Sequence, residues 1–131
     1  MCDGRGRALG FRLLPGNRNE LRAAADLLAV AVGLGVVERV VCDRGYSSAA
    51  WRDAIREAGA ESVVPAQPTH PGVAYNREAY RRRHRVEQAR GRLKEWRAVA
   101  TRYEKTASSF LGVLQVAAAM DWIRHGLSHT A

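Results

Sequence analysis

Apolar residues follow two spacings in the first half of the chain: short continuous runs, and longer stretches with helical periodicity. The short runs predict strands at residues 8–14, 36–42 and 61–64. The longer stretches predict one helix at about residues 20–34 and another from Ser47 or Ser48 to about residue 58. Strands and helices in alternation are typical of an α/β fold, in which helices cover a sheet.

The second half of the chain is predicted to be helical. Residues 77–104 contain no proline and a single glycine, which predicts one long helix, and a further apolar stretch predicts a C-terminal helix at about residues 107–125. Successive residues of a helix are about 100° apart. The long helix would therefore present two lines of side chains, a polar one with Tyr80, Arg83, Glu87 and Lys94 and an apolar one with Val86, Ala89, Leu93, Trp96, Ala100 and Tyr103.

Positive charge is concentrated in the same segment. The 131 residues include 21 basic and 13 acidic side chains, a net charge of +8, and residues 77–105 alone hold eleven basic and four acidic ones, a net charge of +7. Nineteen of the 21 basic residues are arginine, whose planar guanidinium can donate two hydrogen bonds to phosphate oxygens at once. A solvated helix face without a ligand has the same pattern. A chain of this length accommodates one domain or part of one, which excludes two complete catalytic domains.

Cysteine usage and hydropathy indicate the compartment. Cys2 and Cys42 have no spacing typical of a metal site or of a disulfide framework, which predicts a reducing cytoplasm. The most apolar run, residues 27–37, is shorter than the roughly 20 residues that cross a bilayer. We therefore expect a cytoplasmic protein with no membrane partner.

The polar line of the long helix resembles a known signature. Two, three and six residues separate Tyr80, Arg83, Glu87 and Lys94. This spacing is similar to the Tyr-Arg-Glu-Lys signature of DDE-class insertion-sequence transposases, and its surroundings resemble the insertion sequence 5 family. Further segments resemble that family in the same order, at residues 2–9, 42–47, 91–97 and 101–106. The resemblance covers almost the whole chain.

The resemblance implies an RNase H-like fold, a mixed sheet flanked by helices. In that family three carboxylates hold two Mg²⁺ ions that cut and join DNA. Asp43, after the second predicted strand, matches the second carboxylate, and Glu87 matches the third, so both are the candidate catalytic and metal-binding residues. The candidates for supporting contacts to double-stranded transposon ends are Tyr80, Arg83, Lys94, Arg97 and Arg102.

The first carboxylate of the family lies on a strand upstream of the segment that begins at Cys2. The resemblance therefore predicts an N-terminally truncated, single partial catalytic domain over residues 1–131, with an incomplete two-metal site and no activity alone. Its expected protein partners are an upstream-frame part of the transposase or the full-length enzyme. Two alternatives stay open: a non-catalytic fragment that binds DNA or inhibits transposition, and a structural α/β module with a solvated arginine helix.

Overall fold

The computed structural model describes residues 1–15, 20–68 and 72–126. The chain forms two compact units. The terminal unit comprises Met1–Gly16 and His84–Ala131, and the central unit comprises Asn17–Arg83. Among the described helices, none has the length and hydropathy that crossing a bilayer requires.

The central unit contains a small parallel sheet and its covering helices. Its elements in chain order are α1 (Glu20–Leu34), β1 (Arg39–Val41), a 3₁₀ turn (Arg44–Tyr46), α2 (Ala49–Glu57), β2 (Glu61–Val63) and α3 (Arg77–Arg81). The two strands pair in parallel, with Arg39 opposite Glu61 and Val41 opposite Val63. A helix-rich chain with such a sheet is compatible with the predicted α/β class.

The core of the central unit forms where α2 packs on the end of the sheet. Ser48 begins α2 by accepting a hydrogen bond from the Trp51 N–H at 3.2 Å. Trp51 and Ile55, one helical turn apart, then share a buried side with Val64, which follows β2. The buried guanidinium of Arg52 donates to the carbonyl of Val64 at 2.7 Å and fastens α2 to that segment.

The terminal unit packs three helices around a second core. α4 (His84–Lys94), α5 (Arg97–Thr101) and α6 (Ala107–Gly126) contribute the buried side chains of Leu93, Val99, Leu114, Ala117 and Ala118. α6 therefore occupies the stretch in which the sequence predicts a C-terminal helix.

The predicted strand at residues 8–14 is wrong, because in the described chain this segment forms only an isolated antiparallel bridge between Cys2 and Ala8. The Ala8 carbonyl accepts from the Trp122 indole at 2.6 Å instead of from a neighbouring strand. The Leu9 N–H and the Gly10 carbonyl bond back to Met1, each at 3.0 Å, so the pairing extends no further than this bridge.

The prediction of one helix over residues 77–104 is also corrected, because this stretch contains α3, α4 and α5 with turns between them. The first turn lies at residues 82–83, among arginines that include Arg81, Arg82 and Arg85. Like charges three and four residues apart, as in this run, destabilise a continuous helix.

The second turn lies at Trp96, whose backbone is extended (φ −76°, ψ 115°) and whose half-buried side chain packs on the second core. In an unbroken helix Ala100 and Tyr103 would continue the apolar line. The turn instead buries Val99, while Tyr103 is 70% exposed. Burial of Trp96 together with Val99 accounts for the break.

Candidate acidic residues and nucleic-acid interface

Asp43 stands directly after the sheet, where the β-branched run of β1 ends. It caps the 3₁₀ turn: its Oδ1 accepts from the Gly45 N–H at 2.8 Å and its carbonyl accepts from the Tyr46 N–H at 3.1 Å. The side chain is exposed. The structure therefore places an accessible carboxylate at a strand end, as the sequence predicts, and the turn holds one of its two oxygens.

Arg83 is the basic residue that the structure brings to Asp43. Its Nη2 lies 4.0 Å from Asp43 Oδ2, and both side chains are about a third to a half exposed. The Arg83 N–H donates to the Tyr80 carbonyl at 2.9 Å, which fixes the backbone just after α3. An ion pair of this length and exposure contributes about 0–1 kcal/mol. It orients the two groups more than it stabilises the fold.

Tyr80 lies on α3, half-buried, in an edge-to-face contact with Tyr75 at 5.6 Å between ring centroids. Asn76 begins the helix by accepting from the Ala79 N–H at 2.9 Å, and its carbonyl accepts from the Tyr80 N–H at 3.0 Å. Tyr80, Arg83 and Asp43 thus all belong to the central unit.

Glu87 and Lys94 lie on α4 in the terminal unit, and both side chains are exposed. Their separation of seven residues puts them on one side of α4, about 10 Å apart along its axis. Glu87 in the first turn and Lys94 in the last turn also interact favourably with the helix dipole. Asp43 and Glu87 belong to different units, so their convergence stays a prediction.

Arg97 and Arg102 bracket α5. Arg97 is its first residue, and Arg102 follows it with a left-handed backbone (φ 47°, ψ 48°) and its guanidinium 5.0 Å from the centre of the Phe110 ring. Both are exposed. Arg102, Lys94 and Arg90 line a cleft of about 480 Å³ whose other lining residues include no acidic side chain. The terminal unit therefore carries a basic surface at this cleft.

Comparison with known proteins decides the family. The sequence profile of the family described as the transposase DDE domain matches residues 40–124, a range that includes all seven candidate residues. The chain belongs to the DDE transposase domain family. It is 31% identical over 126 residues to a Brucella ovis protein that carries the name of a transposase for insertion sequence element IS6501, and the match covers 95% of each chain. No solved structure matches.

Arg92 of this transposase domain has a structural role that the sequence does not reveal. Its guanidinium donates to Asp121 at 2.8 and 3.1 Å and to the Gly6 carbonyl at 2.6 Å, so it connects α4, α6 and the N-terminal turn. Hydrogen bonding to Asp121, which is 6% exposed, raises the pKa of Arg92. Arg92 stands among the basic residues of the charged segment, and only the tertiary fold shows its acidic partner.

The thiol next to Asp43 is poorly suited to chemistry. Cys42 packs against the first core, and burial raises the pKa of its thiol. A protonated, half-buried thiol is a weak nucleophile and a weak metal ligand. Of the two side chains at the end of β1, Asp43 is the one that is exposed to solvent.

The described residues do not fit the two-ion site that the resemblance implies. Paired Mg²⁺ ions need several carboxylate oxygens from one cluster. Within residues 1–15, 20–68 and 72–126, no group of three or more His, Cys, Asp and Glu side chains could hold a metal ion. Asp43 and Glu87 alone are short of the required ligand number.

Proposed function

We propose that this transposase domain binds duplex DNA through its phosphates, serves the transposition of an insertion sequence, and cuts no DNA by itself. The observation that carries the proposal is the exposure of the basic side chains in residues 77–105. Those in the central unit are Arg77, Arg81 and Arg82, and those in the terminal unit are Arg90, Lys94, Arg97, Arg102 and Lys105. Phosphate contacts from such side chains position a protein on DNA without reading base sequence.

The same proposal assigns roles to the candidate residues. Asp43 and Glu87 are two of the acidic ligands of a divalent metal site in an RNase H-like fold of the insertion sequence 5 type. Tyr80, Arg83 and Lys94 contact the DNA near the reacting phosphate. The domain's protein partner is another transposase polypeptide, either the full-length enzyme or the product of an upstream frame. A DNA partner of this kind places the protein in the cytoplasm, on the nucleoid.

Binding is tested by the salt dependence of affinity. If each of the eight exposed basic residues neutralised one phosphate, log K plotted against log salt concentration would have a slope of about −7 between about 50 and 200 mM salt. We expect a shallower slope, because only some of these residues contact DNA. Lys94→Gln should make the slope shallower by about one. The matched control is Arg22→Gln, an exposed arginine of α1 outside the basic segment. Affinity that does not change with salt would refute the proposal.

Cleavage is tested separately with supercoiled plasmid and Mg²⁺. We expect no relaxed or linear product from the purified chain, since the described residues lack a cluster of three ligands. Glu87→Gln and chelator serve as controls. Nicking by the wild-type chain that both controls abolish would show that this chain completes the site unaided.

A further inference from the structure

Arg52 is a buried basic residue whose charge has no acidic partner among the described residues. It is 4% exposed, and its side chain donates to two carbonyls, that of Val64 at 2.7 Å and that of Pro65 at 3.1 Å. These bonds use two of the five N–H donors of a guanidinium. Two carbonyls do not balance a full charge, and burial of an unbalanced charge is costly. Arg52 therefore suits an anion as a further partner.

Arg52 lines a cavity of about 400 Å³ in the central unit. The rest of the wall consists of Arg56 on α2, Glu61 and Ser62 on β2, and residues 73–76 before α3. Among the described residues, those of β1 contribute nothing to this wall. A strand that joins the sheet beside β1 would therefore leave the cavity open.

The other two ionic side chains of the wall already have partners. Arg56 pairs with Asp53 on α2, and Glu61 pairs with Arg39 on β1, with 2.6 Å between Nε and Oε2. Arg52 is thus the source of the net positive charge in the described wall. An oxyanion suits this charge, because a guanidinium can donate two hydrogen bonds to neighbouring oxygens of one group.

Ser62 supplies further donors at the same cavity. The Glu61 N–H donates to the Glu38 carbonyl at 2.8 Å, and the Val63 carbonyl accepts from the Cys42 N–H at 3.2 Å, so residues 61 and 63 face β1. In a parallel ladder the residue between them faces the other way, so the Ser62 N–H points away from β1. The Ser62 hydroxyl is buried and has no hydrogen-bond partner in the described chain. Since buried polar groups are nearly always paired, this hydroxyl also suits a ligand at the cavity.

We propose that this cavity binds a phosphate group, held by the Arg52 guanidinium and by the amide and hydroxyl of Ser62. A tetrahedral oxyanion accepts from several directions, so donors on α2 and on β2 can bind it together. The cavity volume falls within the range of small-molecule sites, about 300–1,000 Å³, so a phosphate ester fits as well as the free ion. None of the described lining residues belongs to the basic segment at residues 77–105, so the site does not depend on the proposed DNA binding.

A nuclear magnetic resonance titration of the isotope-labelled chain with inorganic phosphate tests the site. The ionic strength is held constant with sodium chloride, and no DNA is present. We expect the amide signal of Ser62 and the Nε–H signal of Arg52 to shift along one saturating curve. The signals of Arg22, which is exposed on α1 and outside the cavity, should not follow this curve. The absence of a saturable shift at Ser62, or shifts confined to residues 77–105, would overturn the proposal.

Two substitutions test the donors. Ser62→Ala removes a hydroxyl that makes no hydrogen bond within the described chain, so the variant should fold normally and bind phosphate about threefold to tenfold more weakly. Arg52→Met removes the charge and should weaken binding at least tenfold, whereas Arg22→Gln should change nothing. Phosphate binding that neither Ser62→Ala nor Arg52→Met weakens overturns the proposal. If Arg52→Met does not fold, unchanged affinity in Ser62→Ala does so alone.

Further titrations of the wild-type chain identify the source of the phosphate. If a small phosphate ester is the ligand, thymidine 5′-monophosphate should shift the Ser62 amide and duplex DNA should not. If a DNA phosphate is the ligand, duplex DNA should shift this amide and abolish its response to inorganic phosphate. Either result supports a phosphate site. An equal response to acetate would contradict the assignment to phosphate.

Discussion

Replacement of Arg92 by methionine is expected to destabilise the terminal unit strongly. The substitution would leave Asp121, whose side chain is 7% exposed, without its main partner. Breaking a buried ion pair in this way costs about 3–5 kcal/mol, because an uncompensated charge stays buried. His125 Nδ1 remains 3.2 Å from Asp121 Oδ1 and partly compensates the Asp121 charge. We therefore expect the free energy of unfolding to fall by about 3 kcal/mol, the lower end of this range.

Replacement of the other partner, Asp121, should lower the free energy of unfolding by less. In Asp121→Asn the amide oxygen still accepts from Arg92, and the Arg92 side chain, 24% exposed, can take up water. We expect a loss of about 1–2 kcal/mol. This asymmetry follows from the unequal burial of the two partners, since the more buried charge costs more when it is left alone.

Guanidinium denaturation followed by far-ultraviolet circular dichroism measures both losses. Arg90→Met is the matched control, because Arg90 is exposed on the same helix and its replacement should change stability by less than about 0.5 kcal/mol. The melting temperature of Arg92→Met should fall by about 10 °C. Equal stabilities for Arg92→Met and Arg90→Met would refute the structural role of Arg92. Arg92 would then be one more solvated arginine that could contact DNA.

Two further predictions follow from the structure. Burial, and to a smaller extent the neighbouring carboxylate of Glu20, raise the pKa of Tyr46 to about 12. The Glu20 carboxylate accepts a hydrogen bond from the Tyr46 phenol at 3.2 Å. The contribution of this phenol to the free energy of unfolding is complete below its unfolded-state pKa of about 10 and is lost as pH rises to about 12. In an absorbance titration of the tyrosines, Tyr46→Phe should therefore remove the step at the highest pH. Gly6→Ala should lower the free energy of unfolding by about 1–3 kcal/mol, as measured by thermal denaturation. Gly6 has φ +77°, and a Cβ there would lie 3.2 Å from the Arg85 carbonyl oxygen. Gly4→Ala is the control, because a Cβ at Gly4 would meet nothing within 4 Å. A late titration step that persists in Tyr46→Phe, or equal stabilities of the two alanine variants, would contradict these expectations.

Features set by neighbouring residues were predictable from the sequence. The β-branched run before Asp43 and the Arg-Gly-Tyr segment after it predict a strand that ends in a turn, and the structure has both, although the strand covers only Arg39–Val41 and not all of residues 36–42. The capping serine of α2 and the apolar periodicity of α1 likewise give helices close to their expected bounds. In each case the deciding contacts lie within four residues along the chain.

Features that depend on distant partners were not predictable. The segment at Ala8 has the composition of a strand, yet its carbonyl bonds to Trp122, 114 residues away. Arg92 has no local sign of its bond to Asp121, which lies 29 residues further on. Trp96 has good helical neighbours, and its burial nevertheless ends α4. Tertiary contacts outweigh local propensity at Ala8 and at Trp96, and at Arg92 they supply a partner that no local pattern indicates.

The breaks in the basic segment change how the Tyr-Arg-Glu-Lys signature must be tested. On one continuous helix its four residues would form one line, and any substitution would perturb a single surface. In the structure they form two pairs, Tyr80 and Arg83 in the central unit with Asp43, and Glu87 and Lys94 together on α4 in the terminal unit. Asp43 and Arg83 lie in one ion pair, so their effects on DNA binding should be coupled, whereas Glu87 and Lys94, about 10 Å apart along α4, should have nearly additive effects. Double-mutant cycles for Asp43 with Arg83, and separately for Glu87 with Lys94, therefore test the two halves of the proposed site independently.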